Sequence, residues 1–564
     1  MTPLHRASEY GRVDVARLLI EHGADTTAQS ENGTAPLHWA SQLGFVDLAR
    51  YLLEHGADAT ARRKSGTTPL HCTSEGGHIN VARLLIEHGA DMAAQSKDGM
   101  TPLHRVSNRG HVDMARLFIE HGADAAAQSE DGTTPLHWAS EGGRVDMARL
   151  LIEHGADAAA QSEHRMTPLH QASEWGHVDL VRLLIEYGAD AAAQSKDGTT
   201  PLHLASKRGR VDVVRLLIEH GAHAAAQSED GTTPLHRASE RGHADVAQLL
   251  IEHGADTAAQ SKDGMTPLHQ ASEWGHVGVA RLLVEHGADA AAQSKDRTTP
   301  LHQASERGCV DLVRLLIEYG ADAAAQSEDE TTPLHWASEW GHVYVAQLLI
   351  EHGADAAAQS KDRTTPLHRA SEGGHVDLAR LLIEHGANAA AQSADGTTPL
   401  HWASEWGHMD VARLLIEHGA DAAAQSEDRT TPLHRASERG HVDVARLLIE
   451  HGADAAVQSE DGTRPLHPAS ERGHVGLVRL LIEHGADAAA QSEDGTTPLH
   501  WASEGGHADV ARVLIEHGAD AAAQSKDGTT PLYLASKWGH VDLARLLIEH
   551  GADEQPLCHH RFSS

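Results

Sequence analysis

The chain is short of aromatic residues, which make up only 3% of it, and it holds three cysteines in 564 residues. With so few rings, Leu, Ala, Ile and Val carry the apolar fraction, a set suited to thin stacked layers and ill suited to one large globular core. Cys72, Cys309 and Cys558 are too far apart in sequence to suggest a disulfide framework. Reduced thiols and an intracellular protein, cytoplasmic in preference to nuclear, are therefore expected. No apolar run approaches the roughly 20 residues that span a bilayer. The opening Met1-Thr2-Pro3-Leu4-His5 lacks the charged-then-apolar pattern of a signal peptide. Asn32-Gly33-Thr34 matches a glycosylation acceptor, but without secretion the match carries no meaning.

Positive charge is also scarce. Lys and Arg number 46 against 81 Asp and Glu, a net charge of −35 with His neutral. Such a field repels phosphate backbones and anionic lipid, so neither nucleic acid nor membrane insertion is expected, and the charge suits the solubility of a long monomer. The sequence contains no H-E-x-x-H, C-x-x-C, phosphate loop, nucleophile elbow or triad pattern. The acidic residues recur in every repeat, whereas a catalytic pair stands alone and buried. The expectation is a protein with no catalytic residue, metal or cofactor.

What the sequence has is repetition. A Pro-Leu pair falls at Pro3, Pro36, Pro69 and onward to Pro531, always 33 residues apart, giving seventeen copies without insertion or deletion. In the copy beginning at Ser129, Thr134 is placed to cap a helix with its hydroxyl and Pro135 to open it. Gly143 ends that helix, and all seventeen copies have Gly there. A second helix is predicted over about 145–154, closed by Gly155, and the remainder of the copy is an extended, Gly-turned connection. At 100° per residue, Leu136, Ala139 and Ser140 share one side of the first helix, and Trp138, Glu141 and Gly142 the other. Val145, Ala148, Leu151 and Ile152 form the apolar face of the second helix. Asp146, Arg149 and Glu153 form its polar stripe, spaced for weak ion pairs. Burying a few aliphatics falls far short of the entropy of ordering 33 residues, so one copy cannot fold alone and the array must stack. Seventeen layers at about 10 Å each suggest a rod on the order of 170 Å.

These residues resemble the ankyrin repeat: T-P-L-H-x-A, the G-H/R-V-D-x-A/V-R-L-L-I-E helix, the G-A-D turn and the period. The resemblance covers residues 2–553. It implies an all-α repeat solenoid in which each repeat pairs antiparallel helices and adds a β-hairpin finger. Fingers and first helices would line a concave groove that binds proteins. The expected division is an array over 1–553 and a disordered tail over 554–564. The finger departs from the family where its Gly becomes Arg165, Arg297, Glu330, Arg363 or Arg429, which puts those turns in question. The chain opens inside a repeat and closes without a polar capping helix, as a fragment of a larger protein would. The leading expectation is a non-catalytic scaffold for one or more protein partners. The alternatives are the recognition arm of a larger signalling or effector enzyme, or a purely structural spacer.

Of the 47 His, 43 fall at three repeat positions, those of His137, His111 and His154, a pattern that points to structure in place of metal binding. Cys558-His559-His560 could hold a stray metal, though an unstructured end is the better reading. The ten Trp occupy two positions of the first helix, four residues apart, which we term slot one and slot two. Trp39, Trp138, Trp336, Trp402 and Trp501 fill slot one, and Trp175, Trp274, Trp340, Trp406 and Trp538 fill slot two. Arg fills many of the rest. Both slots lie opposite the buried side, and Trp and Arg are the commonest interface hot-spot residues. The densest stretch, in repeats 11–14, gives the candidate protein-binding residues: Trp336, Trp340, Arg369, Trp402, Trp406, Arg435 and Arg439. Most residues seen at these slots are related by single-base codon changes, so neutral drift after duplication could also generate the set.

Two further expectations follow. Repeat 15 has Arg464 in place of the capping Thr, Pro468 within its first helix and Gly476 in its second, so it should open first and divide the array into two cooperative blocks. Near pH 5.7, the sequence isoelectric point, His protonation should cancel much of the acidic excess and lower solubility.

Overall fold

The computed structural model describes residues 1–552, so the expectations for the tail over 554–564, Cys558 and its neighbours included, lie outside the described residues. Within them the chain forms 34 α-helices, two per repeat, from Pro3–Glu9 to Val541–Glu549. The chain divides into two compact halves, Met1–Asp289 and a second beginning at Ala290. In each half, helix one packs on its own helix two and on helix one of the next repeat, and helix two packs on helix two of the next.

Stacking is what buries the core. Val15 and Leu18 in repeat 1 are 49% and 57% exposed, whereas Met147 and Leu150, at the same positions in repeat 5, are 0% and 3% exposed. These positions therefore face the preceding repeat. Val541 and Ile548 of repeat 17 are exposed, and Val145 and Ile152 at the matching positions of repeat 5 are half-buried, so these face the following repeat. The core of helix two in repeat 5 is accordingly Met147, Ala148, Leu150 and Leu151. This corrects the face expected from the helical period, because a helix between two neighbours buries two flanks. The polar stripe is exposed as expected, yet no ion pair joins Asp146, Arg149 and Glu153.

Helix one is capped by a His ring. In repeat 13 the backbone N–H of Thr398 donates to Nδ1 of His401 at 3.1 Å, and the Thr398 hydroxyl donates to the same nitrogen at 2.9 Å. The hydroxyl was expected to accept a helix N–H. It does so only in a few repeats, and at long distance, as at Thr167 from the N–H of His170 at 3.4 Å. His401 Nε2 donates in turn to the carbonyl of Thr430 in the next finger at 3.2 Å. A ring that accepts on one nitrogen and donates from the other is neutral, with its proton on Nε2.

The Gly that ends helix one has a left-handed φ of 65° to 84° in all seventeen repeats, as an αL stop requires. A second reason for Gly is steric. A Cβ on Gly374 would lie 2.4 Å from the ring of His408, and one on Gly407 would lie 2.4 Å from that of His441. His408 uses this closeness to donate from Nε2 to the carbonyl of Glu372, in the preceding repeat, at 2.9 Å. One His thus reaches forward and another reaches back.

The fingers carry no strand among the described residues. Each is a tight turn, as where Ser393 N–H donates to Thr397 C=O at 2.9 Å. Successive fingers within each half share one backbone bond of 2.6–2.9 Å, such as Ala394 N–H to Asp362 C=O at 2.8 Å. One bond per pair links the tips without building a ladder. The turn survives where its Gly is replaced: Arg165, Arg297, Glu330, Arg363 and Arg429 take φ of 57–60°, the only left-handed non-Gly residues among those described.

Repeat 15 departs less than its sequence suggests. Its first helix, Leu466–Glu471, starts one residue late, with Pro465 at its cap. Pro468 falls in the first turn, where Pro is tolerated. The N–H it removes makes only a 3.4 Å bond in repeat 13, from Trp402 to Thr398 C=O. The interior-proline penalty therefore does not apply. Arg464 keeps its backbone bond to His467 at 3.1 Å but has no hydroxyl to add. Gly476 has ordinary space around it, with the nearest atom 3.8 Å from a built Cβ. Replacing Arg464 with Thr should stabilise the array by about 1 kcal/mol. In hydrogen exchange, repeat 15 should open more readily than its neighbours by roughly fivefold to tenfold, the equivalent of that cap. Equal protection across repeats 12 to 16 would contradict both expectations.

Candidate protein-binding surface

The two slots, alike on a helical wheel, differ in the structure. Slot one faces the finger that precedes its own helix. Trp402 is half-buried, and its indole N–H donates to the Thr397 hydroxyl at 3.1 Å. His368 of the preceding repeat meets it edge-on at 5.6 Å, and the Arg369 guanidinium lies 5.6 Å from its ring centroid. Trp336 repeats the pattern with Thr331 at 3.1 Å and His302 at 5.6 Å. Arg369 also pairs with Glu372 at 3.4 Å. Arg435 is half-buried and sets a like charge against His401. Slot-one side chains are therefore partly structural. The Thr hydroxyl that anchors the indole of Trp336, Trp402 and Trp501 was missed from sequence; a Thr stands five residues before every slot-one Trp, which was the available signal, though the Trp138 indole N–H is buried without a partner.

Slot two is the exposed one. It falls at the end of helix one, where the chain turns away into the Gly stop. Trp340 is 56% exposed and Trp406 51%, and Tyr10, Leu43, Trp175, Trp274 and Trp538 are also exposed. Arg439 carries a half-exposed side chain that pairs with Glu405 at 3.0 Å and lies 5.6 Å from the Trp406 centroid. Of the seven candidate residues, the structure thus places Trp340, Trp406 and Arg439 on an open face and sets Trp336, Arg369, Trp402 and Arg435 half-buried among neighbouring side chains.

The His pattern is explained by the fold. The first class is buried, the second links repeats, and the third donates from Nδ1 to the carbonyl four residues back, as His418 does to Leu414 at 2.8 Å. No group of His, Cys, Asp and Glu among the described residues is arranged to hold a metal ion. Burial pushes His335, His368 and His401 down to about 4. These rings take no proton near pH 5.7, which corrects the expectation that they would cancel the acidic excess there. With these rings neutral, the folded array carries more negative charge near pH 5.7 than its sequence alone implies. Cys72 and Cys309 are free thiols, and burial raises Cys72 to about 11, which leaves it unreactive. No helix among the described residues is long and apolar enough to cross a membrane.

Paired short helices at a fixed 33-residue period, a Gly stop filled by the next repeat's ring and finger turns joined tip to tip define a stacked helix–turn–helix repeat protein. The chain belongs to the ankyrin repeat family: the family model described as ankyrin repeats (3 copies) matches in overlapping segments from residues 4–96 to 484–556, which together cover nearly the whole chain. A comparison with curated proteins finds no match.

Proposed function

We propose that this chain is a non-catalytic scaffold that binds partner proteins along the face formed by helix one and the fingers, with slot two as the contact line. Ankyrin repeats are in general protein-interaction modules, which supports the class of function. The observation that carries the choice of face is the exposure of slot two. In a chain with 3% aromatics, its exposed Trp are concentrated at this one repeat position. Large exposed apolar side chains flanked by Arg match the composition of interface hot spots. The acidic remainder of the surface disfavours nucleic acid.

Changing Trp340 and Trp406 together to Ala should weaken capture of a partner by at least about tenfold while leaving the thermal midpoint within a degree or two. Trp402→Ala behaves differently, because it removes the bond to Thr397 and the contact with His368. It should lower stability by about 1–2 kcal/mol as well as weaken binding. A partner held with equal affinity by the wild-type and doubly substituted arrays would overturn the reading.

A further inference from the structure

The array contains its own picture of what slot two binds. In the N-terminal half, Arg208 lies 5.6 Å from the Trp175 centroid, one repeat earlier, and its Nη2 pairs with Glu174 at 2.6 Å. In the C-terminal half, Arg439 does the same to Trp406, at 5.6 Å, and to Glu405, at 3.0 Å. Each receptor is a Glu-Trp dipeptide at the end of helix one, and each ligand is the guanidinium of the next slot two. The ring quadrupole and the carboxylate act on the same cation.

Glu339-Trp340 is the same dipeptide at the same place, but the next slot two is Gly373 and supplies no side chain. Two observations agree that the receptor is open. Trp340 is more exposed than either Trp406 or Trp175, and Glu339 is exposed where Glu405 and Glu174 are half-buried. The slot-one Arg of repeat 12, Arg369, is engaged by Trp402 and Glu372. We infer that Trp340 and Glu339 form a receptor for an arginine side chain of a partner protein, which takes the position that Arg439 takes on Trp406. The net charge of −35 adds long-range attraction for a basic segment. The inference rests on the reading of slot two as a contact line, and it names what one part of that line selects.

The test uses the full chain labelled with 5-fluorotryptophan, with the Trp340 fluorine resonance assigned by Trp340→Phe. The probes are the peptide acetyl-Gly-Arg-Gly-amide and its citrulline counterpart, which keeps the shape and loses the charge. The Trp340 resonance should move on titration with the arginine peptide, and the citrulline peptide should bind roughly tenfold more weakly. Gly373→Arg should place the chain's own guanidinium on the ring, shift the resonance without peptide and abolish the response. Gly373 has an ordinary helical φ of −78°, but a Cβ there would lie 2.3 Å from His375 Nε2, so that ring must shift. Arg439-Gly440-His441 shows the sequence accommodated, with His441 still bonding the Glu405 carbonyl at 3.0 Å, and an unchanged thermal midpoint is the control that Gly373→Arg keeps the fold. Arg439→Gly should make Trp406 respond as Trp340 does. A silent Trp340, an equal response to both peptides, or an undiminished response in Gly373→Arg would overturn the inference. If partner capture still fell on changing Trp340 and Trp406 to Ala, the broader reading would stand without it.

Discussion

Acidification from pH 7 to pH 4 should unfold the array far more steeply than it would an ordinary domain. Eleven helix-one His rings are held at about 4 against an ordinary value of 6.5, burial being the largest cause in each. The folded chain keeps these rings neutral while the unfolded chain protonates them, so between pH 6.5 and 4 the unfolded state binds more protons. Stability from these groups is complete above pH 6.5 and is lost as pH falls through about 4. Each ring is worth about 3 kcal/mol at the low end. Near pH 5 each adds a slope of roughly 1 kcal/mol per pH unit, so eleven acting together give about 10. Domains are stable by only about 5–15 kcal/mol, so a few protonations suffice. The physical reason is geometric: a protonated Nδ1 would point its hydrogen at the N–H of the capping residue, as at Thr398. Denaturant midpoints between pH 7 and 4.5 measure the slope. A flat profile above pH 5 would contradict it.

Returning the five substituted finger turns to Gly should produce the second-largest effect. Arg165, Arg297, Glu330, Arg363 and Arg429 hold a left-handed φ that side-chain-bearing residues adopt at about 1–2 kcal/mol each. Their neighbours make the strain worse. At the equivalent Gly132 and Gly396, a Cβ would lie 3.1 and 2.9 Å from the backbone nitrogen of the next finger. Part of the gain is offset by the greater freedom of Gly in the unfolded chain. A net gain of about 1 kcal/mol per site, several in all, should appear as a higher denaturant midpoint. An unchanged or lowered midpoint in the five-fold variant would show that the turns carry no strain.

Much of this molecule was legible in its sequence because neighbours obey the same pattern as the repeat itself. Pro135 and Gly143 marked the first helix to within two residues, and the second runs Val145–Glu153 as its apolar spacing implied. What stayed hidden was whatever one repeat does to another. Gly374 is required partly because His408 fills its Cβ position from 34 residues later, a relation that no local pattern reveals. Trp402 and Trp406 share a face on a helical wheel. The finger before the helix and the repeat behind it claim Trp402, while the end of the helix frees Trp406. The fingers were expected as hairpins from the resemblance; among the described residues they carry no strand, and the bond within each, such as Ser393 N–H to Thr397 C=O, closes a turn.

The most direct test of the whole account is circular dichroism of one repeat in isolation, a synthetic peptide covering residues 398–430. Without the preceding repeat to take the bond of His408, or neighbours to cover Leu414, it should be a random coil at any temperature. A helical, cooperatively melting single repeat would contradict the claim that each layer exists only by leaning on the next.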